Sequence, residues 1–165
     1  MDMPQLSPFS ADAFRLRAAN ARAPQADDDY GDHRFNPDFG HLIRRDGLRQ
    51  AAVLIPIVDR GEQASVILTK RAETLRNHSG QVAFPGGGID PGDASPEFAA
   101  LRETREEIGL ARDYIEVIGR MPDYVSGSGY RIAPVLGIVR PGFHLHINQH
   151  EVDAAFEVPL RFLMD

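Results

Sequence analysis

The sequence predicts one globular domain built from both β-strands and helices. Apolar and β-branched segments of strand length recur between turn signals, and one segment carries both the start and the stop signal of a helix. A length of 165 residues with 42% hydrophobic content suffices for a single sizeable core.

Taken in chain order, Ser10 precedes a helical pattern of Phe14, Leu16 and Ala19 that stops near Pro24, which predicts a short helix capped by Ser10. The acidic run Asp27-Asp28-Asp29 and the stretch through Asn36-Pro37 read as a solvated surface connection. Residues 1–48 are therefore expected to form an N-terminal helix and connection packed on a domain that spans 49–165. The run AAVLIPIV at 51–58 predicts a buried strand, and the turn Asp59-Arg60-Gly61 joins it as a hairpin to a second strand at 64–69. Pro56 inside the first strand suggests an edge position or a bulge. Residues 82–84 read as a short strand leading into Pro85 and the glycines Gly86, Gly87 and Gly88, a flexible turn or a backbone anion nest. Further strands are expected at 115–118, 132–138 and 154–158, with a final turn or helix from Pro159.

The net charge of −6 and the absence of cysteine narrow the function. An acidic chain lacks the basic surface of a generic nucleic-acid binder, and thiol catalysis, disulfides and cysteine-based zinc sites are excluded. No stretch approaches the roughly 18 apolar residues of a membrane span, and residues 1–25 lack a signal-peptide pattern. The expectation is a soluble cytoplasmic protein with no nucleic acid or membrane partner.

The helix is the most informative element. Ser95 is a natural N-cap, Pro96 suits the first helical position, Glu97 the positive end and Gly109 the stop. At about 100° per residue, Phe98, Leu101 and Ile108 share one face, expected to be the buried one, while Glu103, Glu106 and Glu107 gather roughly opposite. Like charges at these spacings repel, so something must compensate: water with Arg102 and Arg105, or a hard divalent cation that prefers carboxylate oxygens.

The residues preceding the helix tip the balance. Arg102-Glu103-Thr104-Arg105-Glu106-Glu107-Ile108-Gly109-Leu110 resembles the second half of the Nudix signature, with Thr104 at an aliphatic position. In the first half, counting from Gly88 puts Ala94 at the glutamate position. Counting from Gly87 puts Asp93 there, with one extra residue before Arg102, and keeps a carboxylate. Upstream, Leu68-Thr69-Lys70-Arg71-Ala72, Arg76, Gly80 and Phe84-Pro85-Gly86-Gly87 resemble the pattern of Nudix hydrolases acting on coenzyme A. The likeness continues more loosely through Ser128-Gly129-Tyr130, Glu151-Val152 and Val158-Pro159-Leu160. Members of that group usually run several tens of residues further, so the chain is expected to be a short member or to lack a C-terminal tail.

The resemblance implies an α/β/α sandwich around a mixed β-sheet, and Mg2+- or Mn2+-dependent hydrolysis of a diphosphate, foremost coenzyme A to 4′-phosphopantetheine and adenosine 3′,5′-bisphosphate. It makes Glu103 and Glu107 metal ligands, Glu106 a third or water-mediated one, and Arg102 the residue that orients a glutamate. Glu151 is the loop candidate for the general base, Arg71 and Arg76 are phosphate contacts or structural ion-pair partners, and Gly86 and Gly87 are placed beside substrate. His144, His146 and His150 read as strand and loop residues rather than a zinc site, and His78 acquires no role. The alternatives are another Nudix activity, on NADH, ADP-ribose or a nucleoside triphosphate, and a Nudix-fold nucleotide-binding module without turnover.

Overall fold

The computed structural model describes residues 5–25, 27–28, 30–42 and 46–164; Asp29 of the acidic run and the terminal Asp165 lie outside them. In chain order the elements are α1 (Ala11–Asn20), β1 (Tyr30–Gly31), α2 (Asp32–Phe35), β2 (Arg49–Val58), β3 (Ser65–Arg71), β4 (Val82–Ala83) and β5 (Gly86–Gly88). They continue with α3 (Pro96–Ile108), β6 (Ile115–Arg120), β7 (Tyr124–Val125), β8 (Tyr130–Val139), β9 (Val152–Pro159) and α4 (Leu160–Met164).

The apolar run at 51–58 becomes the centre of one mixed sheet. β2 pairs in parallel with β8 over its whole length, from Arg49↔Tyr130 to Val58↔Val139. On its other side it meets β5 antiparallel at 51–53 and β3 at only Ile57↔Val66 and Val58↔Ser65. The hairpin from β2 to β3 thus exists but splays early, and β3 takes β9 as its main partner, from Ser65↔Pro159 to Arg71↔Val152.

Pro56 is a correction: it sits in a central strand, opposite Gly137, with no register shift between β2 and β8. The reason is directional. Leu54 N–H donates to the Pro85 carbonyl at 2.8 Å, so the nitrogen two residues on faces that same side. There Pro56 falls in the gap between the β5 and β3 pairings, where no ladder hydrogen bond is needed.

Burial on both faces explains why the strand reads as continuously apolar. Ala52, Leu54, Ala133 and Val135 pack against Ala99, Ala100 and Leu101 of α3. Further along, Val58, Ile67 and Val139 meet Ile108 and Leu110. The alternate residues Ile57, Val66, Leu68 and Ile138 form the opposite layer with Ala11, Leu160 and the half-buried Phe14. The result is an α/β/α sandwich, with α3 on one face and α1 and α4 on the other. Residues before 48 join it directly: Ala64 N–H donates to the Phe9 carbonyl at 2.7 Å, and β1 pairs in parallel with β7. The Ser10 hydroxyl caps α1 by accepting from Ala13 N–H at 3.2 Å.

The helix α3 has the predicted bounds for the predicted reasons. Ser95 Oγ accepts from Phe98 N–H at 3.1 Å, and Gly109 closes the helix at φ 70°, its N–H donating to the Arg105 carbonyl. Its buried face is rotated from the sequence expectation. Phe98 is 40% exposed, whereas Glu107 is only 5% exposed. Small residues at 99 and 100 let the helix lie close to β2, which turns Phe98 outward and Glu107 inward.

The three glycines are also a correction, since they form the extended strand β5 rather than a turn. A Cβ on Gly86 would stand 2.3 Å from the Ala52 carbonyl oxygen and 2.6 Å from Val53 Cα, while one on Gly88 meets nothing within 4 Å. Gly86→Ala is therefore expected to lower unfolding stability by about 2 kcal/mol or more, and Gly88→Ala to stay within about 0.5 kcal/mol of wild type. Urea denaturation of both variants checks this, and equal effects would contradict the close approach.

Candidate metal and diphosphate site

Glu103 and Glu107, one turn apart on α3, converge with Glu151 from the loop before β9, so that one carboxylate oxygen from each lies within 4.8 Å of the others. Each is aimed by its own local device. Gly87 lies beneath Glu103, where a Cβ would stand 2.7 Å from the Glu103 carboxyl carbon. Gly86 N–H donates to Glu107 Oε2 at 3.1 Å. The two glycines thus serve to seat carboxylates, a role the sequence alone did not reveal.

Glu151 is brought in by a strap across the end of α3. His146 N–H donates to the Ile108 carbonyl and Asn148 N–H to the Glu107 carbonyl, both at 2.8 Å. These bonds satisfy carbonyls that a helix C-terminus leaves open. Gly109 permits the strap, because a Cβ there would lie 2.9 to 3.0 Å from His146 atoms. Glu151 then bonds back to the Asn148 carbonyl, and its own carbonyl accepts from Ala72 N–H just past β3. No sequence periodicity encodes this contact; only the likeness around Glu151-Val152 pointed to it.

Arg102 is the hub of the outer rim. Its Nε and Nη2 donate to the two Asp93 oxygens at 2.8 and 2.9 Å, Nη1 to Glu103 and Glu106 at 3.1 and 3.2 Å, and Nη2 also to the Gly88 carbonyl. The Asp93 side chain is only 2% exposed, and Asp90 N–H also donates to it at 2.7 Å. Asp93 therefore grips Arg102 and is not one of the three clustered carboxylates. Glu106 is paired with Arg102, its side chain half exposed, and stands outside that triad. Thr104 fits the apolar face by donating its hydroxyl to the Ala100 carbonyl at 2.7 Å.

Arg71 adjoins the triad and its positive charge acts on Glu107. Its Nε is buried and donates to no partner among the described residues. Arg76 stands exposed on the loop 73–81 between β3 and β4. His144, His146 and His150 form no ligand cluster among the described residues.

Electrostatics follow from this packing. Burial pushes the Glu107 carboxyl up to about 7, reinforced by the charges of Glu103 and Glu151 and opposed by the Gly86 N–H and Arg71. Burial also raises Glu103, with Arg102 opposing. Asp93 is lowered, first by its hydrogen bonds from Arg102.

Residues 48–161 match the model of the NUDIX domain family. The chain is 52% identical over 112 residues to the uncharacterized Nudix hydrolase NudL of Enterobacter sp. strain 638, covering 68% of this chain and 58% of that protein. It is 51% identical, with the same coverage, to the NudL of Klebsiella pneumoniae strain 342. The chain thus spans less than two thirds of the length of these relatives. Among solved structures, it resembles the Nudix hydrolase RenU of M. smegmatis (TM-score 0.57, 26% identity, 67% of this chain and 70% of that one). It shares the fold of a C. elegans Ap4A hydrolase in a binary complex (TM-score 0.58, 19% identity, 71% and 84% covered). Among the described residues, no helix is long and apolar enough to cross a membrane.

The raised Glu107 pKa fixes the sign of a pH effect. Between the ordinary carboxylate range and about 7, the folded state holds a proton that the unfolded chain has lost, so this group's contribution falls as pH rises through that window. In metal-free buffer Glu107→Gln is therefore expected to be more stable than wild type at pH 8, by on the order of 2 kcal/mol, and equal to it near pH 4. Thermal melts at both pH values check this; a difference independent of pH would contradict it.

Proposed function

The chain belongs to the NUDIX domain family, and on that premise we propose that it hydrolyses the diphosphate bond of a nucleoside diphosphate derivative, coenzyme A or a close relative, with Mg2+ or Mn2+. The observation that carries this reading is the convergence of Glu103, Glu107 and Glu151 beside Arg71. Three buried or half-buried carboxylates gathered this closely repel one another unless a cation or protons intervene, and hard dications prefer such an oxygen set. The residues therefore fit a metal. When bound, it supplies charge neutralisation for phosphate oxygens and makes water more acidic.

The protein's own residues divide the remaining work. Glu103 and Glu107 would hold the cation, and Glu106 at the rim would be a third or water-mediated ligand. Arg102, gripped by Asp93, fixes the direction of Glu103 and Glu106. Glu151 takes the proton of the attacking water as general base. Arg71 and Arg76 meet the phosphate oxygens, and the guanidinium fork suits that geometry. The coenzyme A preference rests on the spacing of Arg71, Arg76, Gly80 and Phe84-Pro85-Gly86-Gly87. Hydrolysis there yields 4′-phosphopantetheine and adenosine 3′,5′-bisphosphate.

The decisive assay offers coenzyme A, dephospho-coenzyme A, NADH, ADP-ribose and dGTP with Mg2+ or Mn2+, resolving products by chromatography and mass. Preferential cleavage of coenzyme A is expected. Preference for another diphosphate would discard the coenzyme A assignment, and metal-independent binding without turnover would favour a nucleotide-binding module.

Glu103→Gln and Glu107→Gln are expected to lower turnover at least about a hundredfold with the fold retained. Glu151→Gln should lower kcat by about a hundredfold or more, measured across the pH range. Arg71→Ala or Arg76→Ala should raise KM for coenzyme A by about tenfold or more. Unchanged constants would remove these residues from the respective roles.

A further inference from the structure

The segment Ser128-Gly129-Tyr130 has no part in the chemistry above, yet hydrogen bonds fasten its loop on three sides. Ser126 N–H donates to the Tyr130 carbonyl at 2.9 Å, and Tyr130 N–H returns a bond to Ser126 Oγ at 3.2 Å. Gly129, at φ +89°, closes the turn, and its carbonyl accepts from Arg49 N–H at 3.0 Å. Gly127 N–H donates to Asp32 Oδ2 at 2.6 Å, while the other Asp32 oxygen accepts from the Tyr124 hydroxyl at 2.5 Å. The loop is thus pinned to itself, to the start of β2 and to α2.

What this fastening holds is a stack. The Arg49 guanidinium lies over the Tyr130 ring, 4.3 Å from its centroid. Tyr130 is half-buried and Arg49 exposed. No carboxylate pairs with Arg49 among the described residues, so its plane is held by the ring while the side chain stays exposed. The stack also stands at the right end of the sheet. Arg49 is two residues from Ala51, about 7 Å along the strand. Ala51 pairs with Gly88, whose carbonyl accepts from Arg102.

We propose that the Arg49–Tyr130 stack is the specificity element for the nucleoside half of the substrate: a planar base lies on the outer face of the Arg49 guanidinium, which Tyr130 holds flat from below. Guanidinium planes and aromatic rings both stack on bases, and an ordered platform binds with less loss of side-chain freedom. The assignment rests on the diphosphate-hydrolase reading for its biological meaning, but its test does not need turnover.

The experiment is equilibrium binding, by calorimetry with and without Mg2+, of adenosine 5′-monophosphate and of ribose 5-phosphate, which carries the phosphate without the base. Wild type is expected to bind the nucleotide about tenfold or more tightly than the ribose phosphate, the range of one base stack. Arg49→Lys keeps the charge but loses the plane, and Tyr130→Leu loses the support. Both should erase the difference while leaving ribose phosphate binding and the melting temperature near wild type. Tyr130→Phe should retain it. Absence of a base-dependent difference in wild type, or its survival in Arg49→Lys, would overturn the proposal, whereas failed hydrolysis with intact base-dependent binding would count only against the catalytic reading.

Discussion

Glu107 is the group around which the rest of the site is arranged. A carboxylate at 5% exposure is unfavourable in its ionised form, and two further carboxylates beside it add repulsion. The fold answers with one backbone N–H from Gly86 and the field of Arg71, which together leave the group still raised to about 7. That residual imbalance is one that a cation among the three carboxylates would relieve. Positions 86 and 87 of β5 must be glycine because the backbone there passes close enough to β2 to pair at Gly86 and close enough to α3 to seat both carboxylates.

The second constraint is positional. Glu103 sits at the junction of the buried triad and the exposed rim, and Arg102 connects the two. Asp93 holds Arg102 with both oxygens, which leaves Nη1 to bond Glu103 and Glu106. The extra residue, a departure from the family pattern, lies between Asp93 and Arg102, after the turn that carries Asp90 and Asp93. A shorter carboxylate side chain still reaches Arg102 from it. The strap over the end of α3 does the corresponding work for Glu151, linking helix termination to site assembly through the open carbonyls of residues 107 and 108.

Local signals were legible where the physics is local. Ser95, Pro96 and Gly109 delimited α3 because caps act within one turn, and Ser10 did the same for α1. The apolar run of β2 was visible because burial on both faces leaves no polar alternation. Pro56 and the three glycines misled for a common reason. Their meaning depends on what lies beside them: a gap between two partner strands in one case, and a carboxylate-bearing helix in the other.

The sequence by itself determined the helix with its glutamates, the strand content and the family likeness, since each rests on spacing within a short stretch. Tertiary structure alone decided the rest. It rotated α3 so that Glu107 faces in and Phe98 out, separated Glu106 from the triad, joined Glu151 to it across some forty residues of chain, and gave Asp93 its partner. Those outcomes depend on how closely α3 approaches the sheet and where the strap crosses its end. Both are set by packing between segments far apart in the chain, which no local pattern records.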